Sequence, residues 1–261
     1  MKILCWNLEN ALKRLPELPA QVSGYDVVCL QELRIRAQDA ENVAALERAL
    51  PGYHCFYSLP RDPHNVTYRG GRAYGVATFV RGEATGEVPA WDREGRVVVV
   101  RTQGLAIVNL YAVNGTSKPY LDETGRPDGD RHAFKRRFQA QVFELARELH
   151  REGPVVLAGD WNVSRTKLDT HPRLRTEEPH AQARAELNAQ LHDFVDIWRA
   201  RNPEARGYTW FNLRSRSLDA ARVDYFLVSE DVAVRDAAIL PRHPWSDHAP
   251  LTLDVAPGSA R

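Results

Sequence analysis

Gly159-Asp160-Trp161-Asn162 closes the apolar run Val155 to Ala158. A short apolar run stopped by glycine reads as a buried strand. Side chains alternate along an extended backbone, so Asp160 and Asn162 leave the strand end on the same side. The carboxylate can take a proton or bind a metal, and the amide can donate to a phosphate oxygen or orient a water. The same pair can also simply open a turn, so the tetrapeptide alone leaves both readings open. Other strand-like runs deliver polar groups in the same way: Asn7 and Glu9, Glu32, Tyr111 and Asn114, Asp224, and Asp247 with His248. Strand ends on one edge of packed sheets converge on one place. Glu32 and Asp247 are hard oxygen donors suited to magnesium or manganese, whereas zinc would draw more His and Cys. Adjacent residues in an extended backbone face apart, so His248 needs a carboxylate from elsewhere than Asp247, and Asp224 is available. Taken singly, Asp247-His248 reads as a surface turn, Asp224 as a strand edge and Tyr111 as a half-buried strand aromatic.

These groups need strands to carry them. Residues 2–8, 27–30, 53–57, 74–80, 96–101, 105–112, 155–160, 208–211, 223–228 and 251–255 read as strands, with a weaker one at 237–240. Apolar spacing predicts a helix from Ala40 to Leu50, stopped by Pro51-Gly52. The strongest helix runs from Ala133 to Arg151, with Phe134, Phe138, Val142, Leu145 and Leu149 on one stripe and Gly153-Pro154 after it. Leu187, Leu191, Phe194 and Trp198 predict a further helix, closed by Asn202-Pro203. Segments 60–72, 114–130 and 164–180 read as polar loops, and long loops inside a compact domain tend to be functional. Strands joined by both hairpin-length and helix-length connections predict a mixed-sheet α/β sandwich. No linker divides the chain, so residues 1–256 read as one domain with a frayed tail at 257–261. One internal echo stands out: both Lys2–Asn7 and Val155–Asn162 run strand, Trp, Asn.

Composition narrows the classes of function. The chain has 261 residues, of which 43% are hydrophobic and 26% charged, close to a globular average. The formal net charge of +1 gives no global basic excess, so any nucleic-acid surface must be local. Three unpaired-looking cysteines, Cys5, Cys29 and Cys55, exclude a disulfide framework and a zinc knuckle. No apolar stretch reaches the roughly 20 residues that span a membrane. The first residues begin a strand without the features of a signal peptide, which predicts a cytoplasmic protein.

In order along the chain, Cys-Trp-Asn7, Leu-Gln-Glu32, Asn-Leu-Tyr111-Ala-Val-Asn114-Gly, Gly-Asp160-Trp-Asn162, Tyr-Thr-Trp210, Arg-Val-Asp224-Tyr and Ser-Asp247-His248-Ala-Pro resemble the endonuclease/exonuclease/phosphatase superfamily, and within it the exonuclease III type of abasic-site endonuclease. Each motif is weak alone; the ordered set is specific. The resemblance implies a four-layer α/β sandwich of two mixed sheets flanked by helices, and Mg²⁺-dependent phosphodiester hydrolysis, with Mn²⁺ as the alternative ion. It implies Glu32 as the main metal ligand, with Asn7 and Asp247 close to the metal. Asp160 would position or deprotonate the attacking water, and Asn162 would hold a phosphate oxygen. His248, oriented by Asp224, would contact the phosphate, and Tyr111 would approach the phosphate or the leaving group.

The implied partner is double-stranded DNA with abasic or 3′-end lesions, met by a monomer with no membrane contact. Arginine-bearing loops at 61–72, 165–175 and 214–222 are expected to hold the DNA backbone. Arg69, Arg72, Arg216, Asn114 and Trp210 are the candidate contacts, and Trp210 with Phe211 offers an apolar wall against a nucleotide. The chain departs from the family pattern at Val113, where proline is usual, and at Ala220-Ala221-Arg222, where Gly-Trp-Arg is usual. Glu9-Asn-Ala-Leu-Lys13 replaces an Asn-Gly-Leu-Arg-like segment, and 165–185 match only through Asp169, His171 and Pro172. These departures and the small net charge keep a second substrate class in view: RNA or a small phosphorylated molecule.

Overall fold

A computed structural model describes residues 1–65, 74–172, 174, 180–214 and 219–256. Its first half lays down β1 (Lys2–Asn7), β2 (Val27–Gln31), β3 (His54–Ser58), β4 (Val76–Val80), β5 (Thr85–Glu87), β6 (Val97–Thr102) and β7 (Leu105–Tyr111). A hairpin of β8 (Pro119–Leu121) and β9 (Pro127–Asp130) precedes β10 (Val155–Asp160) and β11 (Phe194–Asp196). The short pair β12 (Trp210–Phe211) and β13 (Ala220–Ala221), then β14 (Asp224–Ser229), β15 (Val234–Ile239) and β16 (Leu251–Val255), follow. The helices are α1 (Leu18–Val22), α2 (Ala40–Glu47), α3 (Arg131–His150), α4 (His180–Ala189) and α5 (Ile197–Arg201).

Two six-stranded sheets form, in the orders β15-β16-β1-β2-β4-β3 and β11-β14-β10-β7-β6-β5. Each has one parallel pair, β1 with β2 and β10 with β7, and antiparallel neighbours elsewhere. β1 and β10 therefore occupy equivalent places, and the Trp-Asn echo in the sequence falls on these two strands.

Between the sheets, Ile3, Cys5, Val27 and Cys29 pack with Val98, Val100, Ile107, Val156 and Ala158. The alternate residues of each sheet point outward. Leu4, Trp6, Val28 and Leu30 meet Leu18, Val22 and Leu46 of α1 and α2. Val97, Val99, Val108, Leu110 and Leu157 meet Phe138, Val142, Phe143 and Ala146 of α3 and Leu187 of α4. This is the expected four-layer sandwich. Each fully buried Phe or Val on α3 contributes roughly 1.5–3 kcal/mol of transfer free energy. Asp130 caps α3 by accepting from Ala133 N at 2.8 Å, and Arg147 and His150 sit in its last turn, where positive charge complements the helix dipole.

Two predicted elements differ. The helix expected through Leu187 and Trp198 is broken into α4, β11 and α5. The side chains of Phe194 and Asp196 are both buried, with Val195 exposed between them, so the segment alternates as a strand and pairs with β14. Asp196 then caps α5 through Arg199 N at 3.2 Å. The loop expected at 114–130 contains the β8–β9 hairpin. Its two prolines hide the strands, since proline cannot donate to a ladder, and Tyr120 stacks on Phe134 at 3.9 Å to hold the hairpin on α3.

Candidate active site

The register of the second sheet places three predicted residues side by side. Asp160 at the end of β10 lies opposite Tyr111 of β7 on one side and Asp224 of β14 on the other. In the first sheet Asn7 of β1 lies beside Gln31 of β2, and Glu32 is the next residue, turned by a left-handed backbone at φ 55°. The two rows meet across the sandwich. Asn7 Nδ2 donates to Asp160 Oδ2 at 3.0 Å and to Glu32 Oε1 at 3.3 Å, and Tyr111 OH donates to Glu32 Oε1 at 2.9 Å. His248 arrives on the turn before β16. Its Nδ1 pairs with Asp224 Oδ2 at 2.9 Å, and its Nε2 lies 3.9 Å from both Asp160 Oδ2 and Asp247 Oδ1.

Burial and charge set the protonation of this cluster. Removal from water pushes the Asp160 carboxyl up, and the neighbouring Asp224 adds to this, reaching about 7 against the opposing pull of His248. Burial disfavours the His248 imidazolium. The charge and hydrogen bond of Asp224, with Asp160 and Asp247 behind them, outweigh that and raise it to about 10. Burial, then the charge of Glu32, keeps Tyr111 a neutral phenol far above its usual range. The site thus holds a carboxylate near neutrality beside a charged imidazole, a combination suited to proton transfer.

The donor set also fits a divalent cation. Asp224 Oδ1 and Asp247 Oδ1 are buried and accept no hydrogen bond, and Glu32 is a further hard oxygen donor. Donor atoms of Asp160, Asp224 and His248 lie within 4.8 Å of one another. In that trio His248 Nδ1 is already engaged by Asp224, which is the geometry of an oriented imidazole. Arg34 touches Glu32 Oε2 at 3.2 Å and lies 3.9 Å from Glu9, so a guanidinium shares the carboxylate with Tyr111 and Asn7.

The remaining candidates are placed variously. Asn162 N donates to Asp160 Oδ1 at 2.8 Å, while its side-chain amide donates to Ala112 O at 2.8 Å. Asn114 is exposed on the loop after β7. Trp210 is half-buried beside Asp247 and donates its indole N–H to Asp247 Oδ2 at 3.1 Å. Arg69, Arg72 and Arg216 lie outside the described residues. Two arginines of the loops expected to grip DNA turn inward instead. Arg222 is fully buried and bonds both Asp169 and Asp196, and Arg165 pairs with Asp196 at 2.5 Å. Once their counter-ions are buried, leaving either guanidinium in solvent would strand a buried charge.

Several supporting residues escaped the sequence reading. Lys135 is buried and donates to the carbonyls of Asn162 at 2.7 Å and Asn114 at 3.2 Å. Burial lowers it to about 8, against the pull of Asp160. Arg96 donates to Tyr111 O at 3.0 Å, lies 5.1 Å from the Tyr111 ring and pairs with Glu94 at 2.6 Å, and Glu94 in turn pairs with Arg131. Gln31 crosses the sandwich to Asn109 Oδ1 at 2.7 Å. The flanking glycine of Glu94-Gly95-Arg96 was the available clue: a Cβ there would lie 2.5 Å from the Leu59–Pro60 backbone.

Comparison with known proteins agrees with this architecture. The model of the Endonuclease/Exonuclease/phosphatase family matches residues 4–248. The chain belongs to this family. It is 28% identical to exodeoxyribonuclease III of Haemophilus influenzae, over 96% of this chain and 98% of that protein. It is 26% identical to a DNA-(apurinic or apyrimidinic site) endonuclease of Dictyostelium discoideum, over 98% of this chain and 70% of that protein. The 3′-5′ exonuclease NExo of Neisseria meningitidis superposes with a TM-score of 0.74 at 26% identity, covering 98% of this chain and 99% of that one. As a member of the endonuclease/exonuclease/phosphatase family the chain is a phosphoester hydrolase of metal-dependent type.

Proposed function

We propose that this protein is a Mg²⁺-dependent DNA repair nuclease that cuts 5′ to abasic sites and clears 3′ ends. The observation that carries the reading is the in-register row Tyr111–Asp160–Asp224, closed by the His248–Asp224 bond at 2.9 Å. The exodeoxyribonuclease and abasic-site endonuclease names of its relatives support the substrate class.

Glu32 and Asp247 are the residues that would hold the metal, with Asn7 orienting Glu32. The bound ion would supply Lewis-acid stabilisation of the charge that develops on the phosphoryl oxygens. Asp160, fixed by Asn7 and Asn162, takes the proton of the attacking water as the new O–P bond forms. His248, held by Asp224 through Nδ1, presents Nε2–H to a phosphoryl oxygen. As the ester bond breaks, Tyr111 offers a neutral phenol beside the leaving oxygen. The hydroxyl of that phenol is oriented by Glu32, and its backbone and ring are braced by Arg96. Arg69, Arg72, Arg216 and Asn114 are proposed to meet the DNA backbone, and Trp210 to wall the nucleotide. The protein acts as a monomer in the cytoplasm, where Cys5, Cys29 and Cys55 stay reduced.

End-labelled duplex carrying one abasic-site analogue and one recessed 3′ end tests the reading. With Mg²⁺, a nick 5′ to the lesion and 3′ shortening are expected, both abolished by chelator and lowered by about 10²–10⁴-fold in Asp160→Asn. Absence of both products would overturn it.

A further inference from the structure

Segment 209–211 is tied to the site by more bonds than a pocket wall requires. Ala249 N donates to Thr209 O at 2.7 Å, Phe211 N donates to Asp247 O at 2.9 Å, and Trp210 bridges His248. Thr209 Oγ1 accepts from Val223 N at 3.0 Å and from Asp224 N at 3.1 Å. The same short segment therefore fixes the start of β14 and the Asp247–His248–Ala249 turn. To these it adds one side-chain bond, from the Trp210 indole N–H to Asp247 Oδ2 at 3.1 Å. An indole N–H can only donate, so it holds that oxygen as an acceptor and stops the carboxylate from rotating freely. The other oxygen, Asp247 Oδ1, is buried without a hydrogen bond and points toward His248 Nε2 at 3.9 Å. With the His248 imidazolium beyond hydrogen-bond reach, this buried carboxylate oxygen is open to a further cation.

We infer that Trp210 is a positioning residue for the divalent ion: its indole N–H locks Asp247 so that Oδ1 is presented to the metal. This task is separate from lining the nucleotide pocket, and it rests on the reading that Asp247 lies at the metal. Hydrogen-bond partners of metal ligands are typically worth tenfold or more in metal affinity. Phenylalanine in place of Trp210 keeps an aromatic wall and removes only the donor.

Mn²⁺ binding to the DNA-free protein, followed by the electron paramagnetic resonance signal of the free ion, separates the possibilities. Trp210→Phe is expected to weaken Mn²⁺ binding by about tenfold. Asp247→Asn is expected to weaken it at least as much, and the double variant no further than Asp247→Asn alone. Normal Mn²⁺ affinity in Trp210→Phe, with loss in Asp247→Asn, overturns the positioning role and leaves the nuclease reading standing. Normal affinity in Asp247→Asn overturns both the metal assignment and this inference. Should Trp210→Phe not fold, the indole ¹⁵N–¹H resonance of Trp210 in the unaltered protein decides: it should shift with the midpoint of Mg²⁺ binding, and an unmoved resonance overturns the inference.

Discussion

Strands β1 and β10 hold equivalent places, each with a parallel neighbour on one side and an antiparallel one on the other. What they deliver differs. Beside β10 the register aligns a phenol and two carboxylates, Tyr111, Asp160 and Asp224, all buried. Beside β1 it aligns two amides, Asn7 and Gln31, with Glu32 following. The β10 side therefore concentrates negative charge away from water, which raises Asp160 and holds a proton on His248. On the β1 side Asn7 supplies a neutral donor that orients Asp160 and Glu32. In the proposed mechanism one topology, used twice, separates the groups that move protons from the groups that aim them.

The sharpest way to break this division is on the β10 side. Asp160→Asn should lower turnover by about 10²–10⁴-fold, the usual worth of a positioned general base, with DNA affinity within a few-fold. Single-turnover cleavage and a binding titration measure the two quantities, and unchanged turnover would remove Asp160 from proton transfer. Asp224→Asn should cost somewhat less, about 10²–10³-fold, in the manner of an orienting group. It also carries a signature in pH. In the proposed mechanism Asp160 acts ionised and His248 protonated, so the rate should rise through about 7 and fall toward about 10. The Asp224 charge raises both groups. Its removal should therefore move both limbs of the profile to lower pH, and limbs that stay in place would show that Asp224 does not act through charge.

How much of this division the sequence carried depends on whether a group announces itself within its own element. Asn7, Glu32, Tyr111, Asp160 and Asp224 were legible because each ends or begins an apolar run, and period-two alternation tells which way such a residue points. Cross-sheet partners carry no such mark. Gln31 reads as one more residue at the end of a strand, yet it bonds Asn109 from the other sheet. Lys135 reads as part of the charged face of a basic helix, yet it lies under the Asn114 and Asn162 carbonyls. Arg165 and Arg222 misled in the opposite sense. Basic loop residues suggest a DNA surface, but Asp169 and Asp196, distant in sequence, draw them inward. Periodicity reports an element's faces; it does not report which polar residues on two elements will meet.

On the β1 side the effects should be smaller and should fall on binding of the ion. Glu32→Ala should raise the Mg²⁺ concentration for half-maximal rate by at least about 10–100-fold, the usual effect of losing even a hydrogen-bond partner of a metal ligand, with part of the rate recovered at high Mg²⁺. A metal titration identical to that of the unaltered protein would remove Glu32 from the ion.

The smallest effect on chemistry, and the one that tests support apart from function, belongs to Gln31. It lies in the β1 row but points between the sheets, where its amide donates to Asn109 Oδ1 and Asn109 in turn donates to Ala77 O and Thr78 Oγ1. Gln31→Leu leaves a buried acceptor without its donor, which costs about 1–3 kcal/mol. In a protein of this size that lowers Tm by about 2–4 °C per kcal/mol. Asn109→Leu in the same background should recover part of the loss, because removing both partners is milder than orphaning one. Turnover per folded molecule should stay within a few-fold throughout, since Gln31 touches neither Asp160 nor His248 in its hydrogen bonds. A large loss of turnover with unchanged Tm would mean that the bridge aims the site as Asn7 does. The line between proton-moving and aiming groups would then extend one residue deeper into the sandwich.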